Sequence, residues 1–398
     1  MKCFYRISQF GMSRVTRILE KKKHNLVVGE GAILKIADFL KKDGIETVFV
    51  ATTPGFIKRG TLQPFFDSLT ASGIKYVLFT DLTPDPTIES VEAARAKYAE
   101  GKCQAIVAIG GGSVIDCSKA MAARIVRPKM TIRQMRGMLK INRALPPFYA
   151  VPTTAGTGSE VTVASVVTDT VDGVHYKYAI SDPCLVPKCA VMDAALTTAL
   201  PPAITAATGM DALTHAVEAY TNRFASKFVR KKALDAVHMI YENLPVVYAE
   251  GNNVKARENM LLASYYAGLA FTNNFVGYVH AVAHALGALY GIPHGQANAI
   301  VMPYVMEQYG KSAEKELSEL ADVANIDGHT QAEKASNFIE SMRKMNRDMQ
   351  IPCKVEQLKE SDFDTIISRA LKEANPAYPV PAIWGKKDFE KLLKKLLP

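Results

Sequence analysis

The chain predicts an α/β half built on a parallel sheet, followed by an all-α half, with the change near residue 200. Two observations carry this expectation. Up to about residue 195, short β-branched runs alternate with amphipathic helical stretches, and strands alternating with helices mean a parallel sheet covered on its faces. After Leu200-Pro201-Pro202, nearly every segment repeats its apolar residues at helical spacing. The expected domains are 1–199 and 200–398, and 398 residues suffice for two cores.

In chain order, NLVVG, ETVFVAT, KYVLF, QAIVAIG and PFYAVP read as buried strands bounded by turn residues. Between them, GAILKIADFLKKDG, LQPFFDSLTASG and TIESVEAARAKYAEG read as helices with glycine at their ends. VASVVTDTVDGVHYKYAIS reads as a hairpin turning at Asp172-Gly173. Pro202 suits the first turn of a helix over PAITAATGMDALTHAVEAYT. KFVRKKALDAVHMIYENL, NMLLASYYAGLAF, YVHAVAHALGALYG and AEKASNFIESMRKMNRDM continue the helical half.

Hydrophobic content of 48% and charged content of 22% match soluble globular chains. No apolar run approaches the roughly 20 residues that cross a bilayer. The basic start lacks the apolar core of a secretory signal. With several Lys and Arg and only Glu20 as an acid, it shares the composition of organelle-targeting segments, and the cytoplasm is the expected compartment. Six scattered cysteines without a CxxC pair give neither a disulfide framework nor a cysteine metal site. The net charge of +9 is spread over mixed-charge helices with no recognition motif, so no nucleic-acid partner is expected.

Two loops and one histidine cluster carry the chemistry. QAIVAIG runs into Gly110-Gly111-Gly112-Ser113 and then a helix, where glycines admit close backbone approach and free N–H groups favour an anion. A second strand leads into Val151-Pro-Thr-Thr-Ala-Gly-Thr-Gly-Ser-Glu160, which offers hydroxyls from Thr153, Thr154, Thr157 and Ser159. Either loop alone would also suit a purely structural turn; two at the C-terminal ends of parallel strands favour a ligand. In the helical half, Asp211 and His215 are four residues apart, as are His280 and His284, and His294 follows Gly291-Ile-Pro293. One carboxylate with imidazoles suits Fe²⁺ or Zn²⁺, and spacing leaves open whether His284 or His294 completes the set.

Gly-Gly-Gly-Ser-x-x-Asp, TTAGTGSE, GMDALTHAVEAY and HAVAHALGALYGIPHG, in this order and spacing, resemble the iron-dependent (group III) alcohol dehydrogenases. The resemblance runs from about Asn25 to Lys311, with a matching helical tail. It implies an N-terminal dinucleotide-binding α/β domain, an all-α C-terminal metal-binding domain, and an active site in the cleft between them. Carried over by position, the metal ligands are Asp211, His215, His280 and His294, and His284 is the nearby histidine facing the nicotinamide. Gly111, Gly112, Ser113 and Asp116 would meet the pyrophosphate, and Thr153, Thr154, Thr157, Ser159 and Lys177 the rest of the dinucleotide. Asp85 stands where the family often has Asn.

The activity implied is hydride transfer between a primary alcohol or diol and NAD or NADP, with Fe²⁺ as metal and Zn²⁺ or Mn²⁺ as alternatives. The resemblance also implies a homo-oligomer, a dimer or larger. The alternative is a glycerol-dehydrogenase-like or other zinc-dependent member of the same fold group. A lyase resembling dehydroquinate synthase lacks its basic pocket here, and a non-catalytic relative is at odds with the intact ligand set. One departure bears on the cofactor. Where many relatives read Val-Thr-Asp-Pro-Gly this chain reads Ala51-Thr52-Thr53-Pro54-Gly55, with Lys58 and Arg59 close behind. Thr53 lacks the carboxylate that would repel a 2′-phosphate, so NADP(H) is expected to be tolerated. Alternatively, Lys58 and Arg59 lie on a solvent face and NAD(H) wins.

Overall fold

The computed structural model describes residues 2–17, 20, 25–82, 84–171 and 174–398. They divide into two compact units, Lys23–Ala199 and a second made of Met1–Lys22 with Leu200–Pro398.

In the first unit six strands, β1 (Asn25–Val28), β2 (Thr47–Ala51), β3 (Lys75–Phe79), β4 (Ala105–Gly110), β6 (Phe148–Pro152) and β9 (Cys189–Met192), form a parallel sheet. Their order across it is β3-β2-β4-β6-β9-β1. Successive residues point to opposite faces. Phe49, Ile106, Ala108, Phe148 and Ala150 join one apolar core, while Val48, Val50, Val107, Ile109, Tyr149 and Val151 join the other. This two-sided burial is why these strands read as continuous apolar runs instead of alternating ones. The sixth strand, β9, lies outside the strands expected from sequence. Its four residues CAVM have no helical stretch of their own before them, and a run that short carries no decisive period.

The chain crosses from β3 back over β2 to β4, so the strand order reverses between β2 and β4. The loops leaving these two strands, at Thr52-Thr53 and Gly110–Gly112, therefore start where open parallel sheets bind ligands. The expected hairpin is present as β7 (Ala164–Val171) and β8 (Val174–Ser181), in antiparallel register from Ala164 opposite Ser181 to Val171 opposite Val174. Its turn, Asp172-Gly173, lies outside the described residues. A two-residue β5 (Gly137–Met138) adds parallel to β8.

The second unit is helical. Its main helices are Pro202–Thr221, Lys227–Ala249, Val254–Asn274, Tyr278–Tyr290, His294–Tyr309, Gln331–Asp348, Phe363–Ala374 and Lys386–Leu396. The N-terminal helix Lys2–Thr16 belongs to this unit, which corrects the expectation that residues 1–199 form one domain. The reason is polar: Arg6 donates to the carbonyls of Val380 (2.7 Å) and Pro381 (3.0 Å), and Gln9 donates to that of Tyr378 (2.8 Å). Backbone acceptors in a non-helical segment are satisfied by side chains from the far end of the chain. Among the described residues no helix is long and apolar enough to cross a membrane.

Candidate metal and dinucleotide sites

Asp211, His215 and Glu218 occupy positions i, i+4 and i+7 of helix Pro202–Thr221, so they share one face. Every residue from Gly209 to Thr221 is buried, and each polar group among them needs a partner. His280 comes from helix Tyr278–Tyr290, which Gly291 closes in the left-handed conformation at φ 68°. His294 opens the next helix. Gly295 lets that helix press against the first, because a Cβ there would lie 2.2 Å from the carbonyl oxygen of Ala207.

These elements bring one donor atom each from Asp211, His215, His280 and His294 within 4.8 Å of one another. From Asp211 Oδ1 it is 3.4 Å to His294 Nε2, 3.7 Å to His280 Nε2 and 4.0 Å to His215 Nε2. Such spacings are too long for hydrogen bonds. They come close to the edges, about 3.4 Å, of a tetrahedron whose corners lie about 2.1 Å from a central ion. The set therefore fits a divalent metal in both chemistry and spacing. Burial opposes charge on Asp211, yet the imidazoles around it, His215 foremost, hold its carboxyl far below the usual range. Desolvation and the neighbouring imidazoles hold the pKa of His294 well below its ordinary value, whereas Asp211 and Glu218 raise that of His280 to about 9 against its burial.

Sequence reasoning left Glu218 without a role, although it stands in GMDALTHAVEAY on the ligand face. Its carboxylate accepts the backbone N–H of Gly277 (2.8 Å) and of Val279 (2.7 Å), and meets His280 Nδ1 at 2.6 Å. A carboxylate only accepts, so Nδ1 carries a proton and it is Nε2 that faces the cluster. Asn298, four residues after His294 and also unassigned from sequence, donates to Asp211 Oδ1 at 2.8 Å. Helical spacing from His294 would have found it.

His284 does not join the cluster. Its Nδ1 meets Glu373 at 2.8 Å and its ring stacks on His294 at 4.9 Å. His284 and His294 keep 34% and 35% of their side chains exposed, against 3–6% for Asp211, His215 and His280, so the cluster is reached by solvent on the side of these two histidines.

In the α/β unit the two loops expected to meet a dinucleotide lie side by side. A Cβ on Gly111 would come 3.3 Å from Thr154, and one on Gly112 would come 2.7 Å from Thr157. Gly112 begins the helix Gly112–Val126. Thr153 donates its N–H to the Gly110 carbonyl (3.0 Å), and Ser159 donates its N–H to Thr157 Oγ1 (3.3 Å). Asp85 donates its N–H to Ser113 Oγ (3.2 Å) and pairs with Lys177 at 2.7 Å. Asp116 is partly buried, and its Oδ2 accepts the Val166 N–H at 2.9 Å and so ties the helix to the hairpin. Lys119, which sequence reasoning passed over, reinforces that tie. Fully buried, it donates to the carbonyls of Thr162 (2.8 Å) and Ala164 (2.9 Å), and burial draws its pKa down to about 8. Cys117 is a core residue, its thiol pushed up to about 12 by burial. Thr53 sits at the start of helix Pro54–Lys58 without capping it; Lys58 and Arg59 are exposed, with the Arg59 guanidinium over the Phe56 ring at 4.9 Å.

A parallel α/β unit with paired phosphate-type loops, together with a helical unit carrying one carboxylate and three imidazoles, defines the class of metal-dependent dehydrogenases. Residues 23–194 match the family model for iron-containing alcohol dehydrogenase, and residues 205–397 match that for the Fe-containing alcohol dehydrogenase family, C-terminal. The chain belongs to the iron-containing alcohol dehydrogenase family. It is 37% identical over 356 residues to a 1,3-propanediol dehydrogenase of Klebsiella pneumoniae, covering 87% of this chain and 90% of that one. It is 35% identical over 364 residues to an NADPH-dependent butanol dehydrogenase of Clostridium saccharobutylicum, covering 89% and 87%. A crystal structure of a 1,3-propanediol oxidoreductase superposes with a TM-score of 0.89 at 33% identity, over 94% of this chain and 97% of that one. The protein is a metal-dependent alcohol dehydrogenase, an oxidoreductase acting on CH–OH groups, and these relatives do not favour the zinc-dependent glycerol-dehydrogenase-like alternative.

Proposed function

We propose that the protein interconverts a short primary alcohol or diol and its aldehyde with NAD(P)(H), using Fe²⁺ held by Asp211, His215, His280 and His294. The observation that carries this is the convergence of those four donors within 4.8 Å. Relatives named for 1,3-propanediol and butanol support the substrate class. A bound divalent ion supplies Lewis-acid chemistry to the alcohol or aldehyde oxygen. The nicotinamide supplies the redox chemistry.

The chain's own residues do the rest. Glu218 holds His280 by Nδ1 so that Nε2 is presented to the ligand site. In oxidation the alcohol loses a hydride to NAD(P)⁺ and its hydroxyl proton to a base. His284, on the open side of the cluster, is the residue we assign to that proton. Gly111, Gly112 and Ser113 receive the pyrophosphate, with Thr153, Thr154, Thr157, Ser159, Asp85 and Lys177 around the remainder. Thr53, uncharged and free of a capping bond, accommodates a 2′-phosphate, and a relative named NADPH-dependent supports NADP(H) as a substrate. The six free cysteines suit a reducing cytoplasm, and the family reading includes a homo-oligomer.

The test is a screen of short alcohols and diols with NAD⁺ and NADP⁺ on protein reconstituted with Fe²⁺, Zn²⁺ or Mn²⁺, alongside three variants. His280→Ala and His294→Ala should emerge without metal and without turnover. His284→Ala should keep its metal and lose about 10- to 1000-fold in rate. A metal-free His284→Ala beside a metal-loaded His294→Ala would invert the assignment.

A further inference from the structure

We propose that Glu373 is the positioning residue for His284: held by Tyr378, it fixes the imidazole with its proton on Nδ1 and leaves Nε2 as the acceptor beside the metal ligands. This rests on the reading that His284 takes the substrate proton.

One oxygen, Glu373 Oε1, receives both contacts, His284 Nδ1 at 2.8 Å and the Tyr378 hydroxyl at 2.9 Å. Tyr378 donates, because burial and the neighbouring carboxylate push its hydroxyl pKa well up and it stays protonated. A carboxylate has no proton to give, so the hydrogen between it and His284 belongs to Nδ1. The other ring nitrogen, Nε2, then has a free lone pair. Among the described residues Glu373 pairs with no Lys or Arg; its one ion-pair partner is His284. A half-buried carboxylate devoted to one imidazole and one hydroxyl has the arrangement of a group that orients a base.

The surroundings hold this geometry still. Glu373 lies in the last turn of helix Phe363–Ala374, and the Tyr378 N–H returns to the Ala374 carbonyl at 2.7 Å. The Tyr378 carbonyl is bonded by Gln9, and Arg6 bonds those of Val380 and Pro381. The N-terminal helix thus clamps the segment that aims Tyr378 at Glu373. On the other side, the stacked His294 ring limits rotation of His284.

The experiment compares metal-loaded, full-length wild type with Glu373→Ala, Glu373→Gln, Tyr378→Phe, His284→Ala and the double Glu373→Ala/His284→Ala variant. Metal content, Tm, kcat and the KM for cofactor are measured for each. ¹⁵N-histidine NMR on zinc-loaded protein reads the tautomer. Glu373→Ala is expected to lower kcat about 10-fold or more with metal content and cofactor KM unchanged, and to mix the tautomers of His284. Glu373→Gln, whose amide oxygen still accepts from Nδ1–H, should recover most of the rate. In the His284→Ala background Glu373→Ala should add nothing. Additive losses, loss of metal in Glu373→Ala, or a tautomer unchanged in both Glu373 variants would overturn the assignment. Wild-type turnover by His284→Ala would overturn the proton role itself. Loss of rate in His284→Ala without loss in Glu373→Ala would overturn Glu373 alone.

Discussion

Glu218 serves both the ligand set and the backbone that delivers it. The N–H groups it accepts, from Gly277 and Val279, lie at the start of the helix bearing His280, so one carboxylate fixes the helix entrance and the ligand's tautomer together. Glu218→Gln should weaken metal affinity by about 10- to 100-fold, read by competition with a chromogenic chelator. Unchanged affinity would reduce Glu218 to a helix-start residue. In the α/β unit, Thr53→Asp should raise the KM for NADP(H) strongly and change that for NAD(H) little, since a carboxylate repels a 2′-phosphate and accepts from a 2′-hydroxyl. Equal effects on both cofactors would mean that residue 53 does not face the ribose. Asp211 with His215, and His280 with His284, could be picked out because buried imidazoles at four-residue spacing on apolar helices need partners, and His294 joined them through the family resemblance. Glu373 could not: in FDTIISRALKEA it looks like any charge on an amphipathic helix.

Between elements, the decisive contact is glycine against backbone. Helix His294–Tyr309 lies against helix Pro202–Thr221 with no room for a Cβ on Gly295, which would meet Ala207 O at 2.2 Å and Asp211 Cβ at 3.3 Å. Gly295→Ala should therefore push His294 away from Asp211. The expected result is loss of bound metal together with roughly 1–3 kcal/mol of stability, measured by metal analysis and urea unfolding. Retained metal at wild-type affinity would show that the helices can separate without opening the cluster. The strands expected from sequence lie where the sheet has them, because burial on both faces makes a run apolar throughout. β9 was missed because four residues are too few to show a period.

At the scale of the whole chain, a metal bound by three helices should act as a cross-link on the folded state. A ligand that binds only the folded protein stabilises it by about 2.7 kcal/mol at a hundred times its Kd. Removing the metal by chelation should then lower Tm by about 5–10 °C, and adding back Fe²⁺ or Zn²⁺ should restore it. A Tm indifferent to chelator would mean that the four donors are held apart from any ion by the fold alone.

Periodicity by itself determined the α/β half, the helical half and the change near residue 200, because each depends on residues close together in sequence, whereas the four-donor set came from the family resemblance. Spacing alone did not separate His284 from His294; in the structure both stand near His280 and differ in what lies across from them, Glu373 for one and Asp211 for the other. Only the tertiary structure moved Lys2–Thr16 into the helical unit and turned Asp116 toward the hairpin. Each of these outcomes is set by a polar partner distant in sequence, and a side chain's partner across space leaves no period in the chain that carries it.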